Sequence, residues 1–515
     1  MCNGIKMLIC FLGMFLVACT DQNEIIPVKK PNIIILYVDD LGYGDVGFNG
    51  ATAVRTPNID QLAAEGINFT DAHSTAATCT PSRYALLTGE HGFRRDLDIL
   101  PGDAPALIRP EQPTLPSMLK KAGYNTAVVG KWHLGLGDGD VNWNVAIKPG
   151  PLEIGFDYSF LMPATGDRVP TVYLENHTIV NLDPMDPIEV SYKGKVGNRP
   201  TGTEHPELLR YKADPQHSDT IINGVSRIGT MGGGQAALWV DEEFADTFTD
   251  KARTFIRKNK ENPFFLFYSF ADIHVPRLPH ARFEGKTTMG PRGDAIAQMD
   301  WVVGEIITEL KTLGIEENTL IFFTSDNGPV LDDGYGDGAV TKLGDHKPSG
   351  PYRGGKYSAF EAGTRMPTVV HWPGRVEPGT SAALVSQVDF YASLASLLDI
   401  ELSPQEAMDS LNLLGALLGT TDQGRDYLIE ESVATLSLRK ANWKYIVPYP
   451  EDKIYPDWVQ IDKGIEGGFI KEPQLYNLDN DAGEQNNLAK DYPALVNELQ
   501  TKIEELRRAG FSERH

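Results

Sequence analysis

Four apolar runs punctuate the chain, and each ends at polar or charged residues. Ile33-Ile34-Ile35-Leu36-Tyr37-Val38 ends at Asp39-Asp40, and Thr126-Ala127-Val128-Val129 ends at Gly130-Lys131-Trp132-His133. Phe264-Phe265-Leu266-Phe267-Tyr268-Ser269-Phe270 leads to His274, and Leu320-Ile321-Phe322-Phe323-Thr324 ends at Ser325-Asp326-Asn327-Gly328. Runs that are apolar at nearly every position predict strands buried on both faces, as in a parallel sheet flanked by helices. Helical spacing lies between them, over 58–65, 115–122, 244–258 and 295–313. The alternation predicts an α/β domain with a central, mostly parallel sheet. In such sheets ligands bind outside the carboxyl ends of the strands. All four runs place their carboxylates, amides, lysine or histidines at that end.

Residues from about 140 to 240 are rich in Gly, Pro and polar residues, and read as insertions over a pocket mouth. After Trp372-Pro373-Gly374-Arg375 a second, smaller α+β unit is predicted. Segments 385–398 and 410–418 have helical patterns, 443–447 and 474–478 read as strands of a short antiparallel sheet, and 492–510 as a closing helix. The expected division is a catalytic domain over 31–380 and a C-terminal subdomain over 381–515. No internal repeat or coiled-coil pattern is present.

A chain of 515 residues buries a large core and divides into more than one domain. The formal net charge of −23 argues against a nucleic-acid partner. Near the N-terminus Lys6 precedes an apolar run over 7–18, too short to span a bilayer comfortably, which reads as a signal-peptide core. Leu16-Val17-Ala18-Cys19 resembles a bacterial lipobox, with Asp21 and Glu24 following as in exported lipoproteins of the Bacteroidetes. That resemblance implies removal of residues 1–18, a lipid on Cys19, and a linker over 19–30. The four cysteines are Cys2, Cys10, Cys19 and Cys79, so Cys79 becomes the one remaining thiol. It has no intramolecular partner, and its presence calls for a chemical rather than a framework reason.

Asp39, Asp40, Asp326 and Asn327 offer hard oxygen donors that suit calcium, with magnesium second. Cys79-Thr80-Pro81-Ser82-Arg83 follows the small-residue stretch 74–78 and opens a predicted helix over 82–87. A free Cys before a helix is ordinarily a buried thiol. This Cys-x-Pro-x-Arg sequence resembles the type I, formylglycine-dependent sulfatases, in which a maturing enzyme oxidises the Cys to formylglycine.

The resemblance implies an alkaline-phosphatase-like fold and a set of roles. Cys79, converted to formylglycine, is the nucleophile: one hydroxyl of its hydrate attacks sulfur, and the second drives collapse to aldehyde and sulfate. Asp39-Asp40 and Asp326-Asn327, with residue 79, hold the metal. Arg83 reaches back one helical turn to residue 79 and its sulfate. Gly130-Lys131-Trp132-His133-Leu134-Gly135 is similar to the family's Gly-Lys-Trp-His-Leu-Gly motif. By that similarity Lys131 binds sulfate and His133 serves the hydroxyl as base. His274, in Asp272-Ile273-His274-Val275-Pro276, and Lys356, in Arg353-Gly354-Gly355-Lys356, bind sulfate and protonate the leaving oxygen. Asp326 accepts the proton of the attacking hydroxyl. The net negative charge requires a local cationic pocket for a sulfated substrate. Further on, the segment 475–484 resembles the family's Leu-Tyr-Asp-Leu…Asp-Pro-x-Glu, with departures at Asn477 and Ala482 that lie outside the chemistry.

The resemblance extends to carbohydrate sulfatases of gut Bacteroidetes, including a group acting on 3-O-sulfated galactose of mucin. The expected activity is therefore exo-acting hydrolysis of a sulfated glycan. His177 is expected to meet an axial sugar hydroxyl, with Arg353, Asp345 and His346 as further substrate contacts. The implied partners are the sulfated glycan, the formylglycine-generating enzyme and the outer membrane through the lipid. The protein is expected in the periplasm or at the cell surface. Two rival readings remain: a formylglycine-dependent phosphomonoester or phosphodiester hydrolase, and a non-catalytic binder in which Cys79 stays a thiol.

Overall fold

The strand Asn32–Val38 is buried along its whole length and lies inside a ten-stranded sheet. It pairs in parallel with Phe264–Ser269 on one side and Thr319–Ser325 on the other. Asn125–Lys131 lies beside Phe264–Ser269, and Tyr158–Met162 beside Asn125–Lys131, again in parallel. Thr368–His371 and Ile67–Phe69 extend one flank with antiparallel pairing, and Leu174–Glu175 with Thr178–Ile179 extends the other. This computed structural model describes residue 1 and residues 30–449 and 465–508. The leader over 1–18, Cys19 and nearly all of the 19–30 linker lie outside the described residues. Among the described residues no helix is long and apolar enough to cross a membrane.

The near-continuous apolar runs are explained by two cores, one on each face of the sheet. Successive side chains of a strand point to opposite faces. Ile33, Ile35 and Tyr37 therefore join a cluster with Leu86, Leu115 and Phe390, while Ile34, Leu36 and Val38 join one with Phe248 and Val302. Helices Phe244–Asn259 and Pro291–Leu313 cover the second face. Helices Cys79–Thr88, Leu115–Lys121 and Phe390–Leu397 cover the first.

Part of the region expected as loops belongs to the core. Tyr158–Met162 is the fifth parallel strand, and its short run escapes notice beside long polar neighbours. The remainder carries two small antiparallel sheets, Ile221–Ile222 with Val225–Ser226 and Glu189–Ser191 with Thr230–Gly232.

Towards the C-terminus, Leu428–Glu431, Leu436–Lys440, Trp443–Ile446 and Gln474–Asn477 form a four-stranded antiparallel sheet. Helix Pro493–Arg508 packs Leu499 and Ile503 against Ile429, Leu438, Tyr445 and Leu475. Residues between 381 and 417 behave differently. Val385-Ser386 pairs with Ala72-His73, and Phe390, Leu394, Ala416 and Leu417 lie in the first core. The boundary expected at 380/381 thus does not coincide with a change in packing. Buried charges join the two sheets: His73 Nδ1 lies 2.8 Å from Glu430, and Lys444 lies 2.8 Å from Glu430 and 3.1 Å from Glu361.

Candidate active site

Parallel pairing brings the ends of the four expected strands to one place. Asp39-Asp40 follow Asn32–Val38, Asp326-Asn327 follow Thr319–Ser325, and the Asp326 N–H donates to the Val38 carbonyl at 2.9 Å. Lys131 ends its strand, and His133 lies two residues on. Asp40 and His133 hold φ of 59° and 57°, a left-handed conformation for which Asp and His are enriched among non-glycine residues. Gly130 is required by contact: a Cβ there would stand 1.8 Å from the Ser269 carbonyl oxygen, at φ +113°.

Cys79 is the first residue of helix Cys79–Thr88 and is 1 % exposed. The helix begins three residues earlier than its apolar pattern suggests. Two of the neighbours of Cys79 in the pentapeptide fix the surrounding backbone. The Ser82 hydroxyl bonds both the carbonyl and the N–H of Ala76, at 2.9 and 3.1 Å, fixing the approach to Cys79. The Thr80 hydroxyl donates to the His133 carbonyl at 3.2 Å and accepts from the Leu100 N–H at 3.3 Å.

His133 Nδ1 lies 3.2 Å from Cys79 Sγ, and its Nε2 lies 2.9 Å from the Leu100 carbonyl. A carbonyl only accepts, so Nε2 carries the proton and Nδ1 presents its lone pair to residue 79. Burial, reinforced by Lys131, pushes the imidazole well below its ordinary range and keeps it neutral. Burial also pushes the Cys79 thiol up, so the unmodified side chain is a thiol that donates to Nδ1 rather than a nucleophilic thiolate.

Charges alternate around this pair. Lys131 Nζ bonds Asp39 Oδ2, and Lys356 Nζ lies 3.0 Å from Asp40 Oδ2 and 2.9 Å from Asp333 Oδ2. Burial alone would raise the Asp39 carboxyl, but Lys131, His274, Arg83 and Lys356 outweigh it and hold the group below the usual range. Asp326 goes the other way: burial, then the Asp39 charge, push it up to about 7. His274 bonds the Val275 carbonyl through Nδ1 at 2.8 Å, which turns Nε2 toward Asp40, 4.0 Å away. Burial, with Lys356, lowers this imidazole.

Arg83 departs from its expected role. Its Nε and Nη2 lie 2.9 and 2.7 Å from Asp326 Oδ2, and Nη1 bonds Ser269 Oγ and the Lys131 carbonyl. The guanidinium lies over the Tyr37 ring, 5.4 Å from its centroid. The helix carries the side chain beneath the strand ends, where it orients Asp326 instead of turning back to residue 79.

The oxygen donors fit a divalent cation. Asp39 Oδ1 and Asn327 Oδ1 are buried without a hydrogen-bond partner, a costly state that a cation relieves. Asp39, Asp40 and His274 present ligand atoms within 4.8 Å of one another. Asn327 Nδ2 donates to Asp40 Oδ1 at 2.7 Å, which leaves the amide oxygen as its outward group. Sulfur is a soft donor, so residue 79 joins a hard-cation set only as an oxygen species.

The four expected sugar contacts are not brought to this centre. His177 lies in the turn between Leu174–Glu175 and Thr178–Ile179, and the adjoining Asn176 bonds Ser159, near the start of Tyr158–Met162. That is the amino end of the parallel strands, opposite Lys131 and Asp39. His177 Nε2 bonds Glu153 at 2.9 Å. His346 is buried against Asp45 at 2.8 Å, and Asp45 also receives both Nη1 and Nη2 of Arg292, so this His braces the loop after Asp40. Asp345 is exposed. Arg353 pairs with Glu466 at 2.7 Å and stacks on Phe360, in a cleft of about 380 Å³ shared with the C-terminal unit.

Other residues gather at the mouth without having been expected there. The segment after Tyr158–Met162 runs beside His133, whose N–H donates to the Pro163 carbonyl at 3.2 Å. It carries Asp167 and Arg168, which bond each other at 2.9 Å, and His217 stands 3.4 Å from Asp167 and 2.7 Å from Asp214. Burial opposes the charged imidazole, but Asp167 and Asp214 outweigh it and push His217 up to about 9. Asp167 and Arg168 could have been found from the strand that precedes them. His217 has no local signal. Asp333, six residues beyond Asn327, could have been found from the acidic pair Asp332-Asp333.

Comparison with known proteins agrees with this architecture. A sulfatase family model matches residues 31–400. The chain is 50% identical over 482 residues to an N-acetylgalactosamine-6-O-sulfatase of Bacteroides thetaiotaomicron, with 93% of each chain covered. It is 30% identical over 492 residues to arylsulfatase A of Bos taurus, covering 93% of this chain and 87% of that one. A solved sulfatase structure from glycosaminoglycan metabolism by Bacteroides thetaiotaomicron superposes with a TM-score of 0.91 at 50% identity, covering 93% of this chain and 100% of that one. A phosphonate monoester hydrolase of Agrobacterium radiobacter shares the fold alone, with a TM-score of 0.57 at 18% identity over 94% of this chain and 96% of that one. The ten-stranded sheet, its helical layers and the small C-terminal sheet are the alkaline-phosphatase-like arrangement of sulfatases. The chain belongs to the sulfatase family and is a sulfuric ester hydrolase.

Proposed function

We propose that this chain hydrolyses a sulfate ester on a glycan, with 6-O-sulfated N-acetylgalactosamine as its substrate. The observation that carries the hydrolytic part is the set around residue 79: His133 Nδ1 at 3.2 Å, two buried lysines, and carboxylate and amide oxygens left without partners. The sugar is supported by the 50% identical relative, named for that activity. The alternative, 3-O-sulfated galactose, rests on the resemblance of the chain to carbohydrate sulfatases of gut Bacteroidetes; its expected sugar contact, His177, lies at the other end of the sheet.

The reaction converts R–O–SO3⁻ and water to R–OH and HSO4⁻. Formylglycine at position 79, made from Cys79 by a maturing enzyme, supplies the nucleophilic hydroxyl that a buried thiol lacks. Asp39, Asp40, Asp326 and Asn327 are the residues to hold calcium, which supplies positive charge toward the sulfate oxygens. Lys131 and Lys356 bring two further charges to a monoanionic group. Residue 79 also begins helix Cys79–Thr88, and a helix N-terminus favours an anion. In this reading His133 takes the proton of residue 79 on Nδ1, and His274 Nε2 serves the leaving oxygen. Asp167, Arg168 and His217 are the groups at the mouth that offer donors and acceptors to sugar hydroxyls. Export as a lipoprotein through Cys19, to the periplasm or cell surface, accords with a glycan substrate.

The test is sulfate release by protein whose residue 79 is confirmed as aldehyde by peptide mass, assayed with and without calcium. The substrates are 6-O-sulfated N-acetylgalactosamine, 6-O- and 3-O-sulfated galactose, and a phosphate monoester. Release from the first, lost with a chelator and in Cys79→Ala, is expected. Preference for 3-O-sulfated galactose would overturn the sugar assignment, and turnover of the phosphoester alone would overturn the sulfatase reading.

A further inference from the structure

We infer that Asp333 is a positioning residue that holds the Lys356 ammonium over the sulfate subsite, with the Tyr357 hydroxyl fixing its carboxylate. The inference rests on the sulfatase reading above and adds a residue to it. Lys356 is 3 % exposed, and a buried ammonium is costly unless paired. It has two anionic partners, Asp40 at 3.0 Å and Asp333 at 2.9 Å. Asp40 belongs to the donor set for the cation, and its other oxygen accepts from Asn327. A divalent ion held there would draw on the charge of Asp40 and repel the ammonium. Asp333 is then the anion left to hold Lys356 in place.

The surroundings are built for that purpose. The Tyr357 hydroxyl lies 3.0 Å from Asp333 Oδ1 and 3.2 Å from Oδ2, so the carboxylate cannot swing away while the phenol stays put. Tyr357 is itself held at φ 75°, a conformation that costs a bulky residue free energy and persists only where the surroundings impose it. Its N–H donates to the Ala77 carbonyl at 2.7 Å, two residues before the nucleophile, and the Lys356 N–H donates to the Pro329 carbonyl at 3.0 Å, two residues beyond Asn327. The lysine's backbone is thus tied to both halves of the site, and its long side chain is aimed by Asp333. Partners that orient a functional group in this way alter activity by about 10–100-fold when removed.

The experiment is a double-mutant cycle on formylglycine-bearing protein with calcium, using Asp333→Asn, Lys356→Ala and the pair, with Asp333→Glu as a conservative control. Thermal midpoints check folding. Asp333→Asn is expected to lower kcat/KM about 10–100-fold. Asp333→Glu is expected to recover most of it, and Asp333→Asn to change the Lys356→Ala enzyme by less than about twofold, because coupled residues are not additive. An unchanged Asp333→Asn enzyme, or an equal loss in the Lys356→Ala background, would overturn the assignment. Calorimetric binding of inorganic sulfate to the unconverted Cys79 protein gives a second readout, weakened in Asp333→Asn. A wild-type enzyme that releases no sulfate would sink the sulfatase reading, while this binding comparison would still decide the role of Asp333.

Discussion

Cys79 Sγ and His133 Nδ1 lie 3.2 Å apart, and the proton on the far side of the ring is committed to the Leu100 carbonyl. The tautomer is set by that backbone contact, and the imidazole is kept neutral by burial and by Lys131. Residue 79 therefore faces the lone pair of a neutral imidazole. His133→Ala is expected to lower kcat by about 10²–10⁴-fold. Single-turnover sulfate release measures this; a kcat within twofold of wild type would remove His133 from the proton path.

Arg83 bonds Asp326 instead of residue 79, so its loss is felt first by the carboxylates. Arg83→Gln leaves a buried Asp326 without its cation, which costs about 3–5 kcal/mol in the metal-free protein. Apparent calcium affinity falls about 10–100-fold. Urea unfolding and a calcium titration followed by thermal midpoint check both figures. Unchanged stability and calcium response would restore Arg83 to a direct sulfate role.

His177 should be silent in catalysis. Its ring pairs with Glu153 near the surface, at the amino end of the parallel strands. His177→Ala is expected to leave kcat/KM within twofold and to cost about 1 kcal/mol of stability, the usual worth of one hydrogen bond. A large loss of activity in a stably folded variant would contradict the placement described here.

Glu431 should make stability fall with rising pH. It is buried, its Oε2 has no partner, and burial pushes its carboxyl from the ordinary 4.5 up to about 8. Between those values the folded state keeps a proton that the unfolded state has lost, so stability declines from about pH 4.5 to about pH 8 and then levels off. Glu431→Gln retains the neutral shape and removes that decline, a gain on the order of 4 kcal/mol at pH 8 and none at pH 4. Denaturant midpoints of the two proteins across this range decide it. The backbone of Glu431 bonds Thr75 and Ala77, on the approach to Cys79.

Much of the catalytic centre was legible because chemistry and chain order coincide there. Asp39-Asp40, Lys131, His133 and Asp326-Asn327 sit at the ends of runs that are buried on both faces, and parallel pairing carries all such ends to one side. Cys79, Thr80, Ser82 and Arg83 lie within five successive residues at the start of one helix, so their association is local. The parallel core was therefore legible in the chain alone, and so were Cys79 and the carboxylate and amide residues gathered at the same strand ends. Tertiary structure decided everything that depends on which distant segments meet. The direction of Arg83 follows from the depth of its helix beneath the strands. The placement of His177 follows from an antiparallel return that reverses the chain away from the site. The gathering of Asp167, Arg168 and His217, and the pairing of Asp333 with Lys356, join residues whose partners lie on other loops. Periodicity and local motif carry information about one segment at a time, whereas a pocket mouth is made by long-range contacts between loops of irregular backbone, which no local pattern encodes.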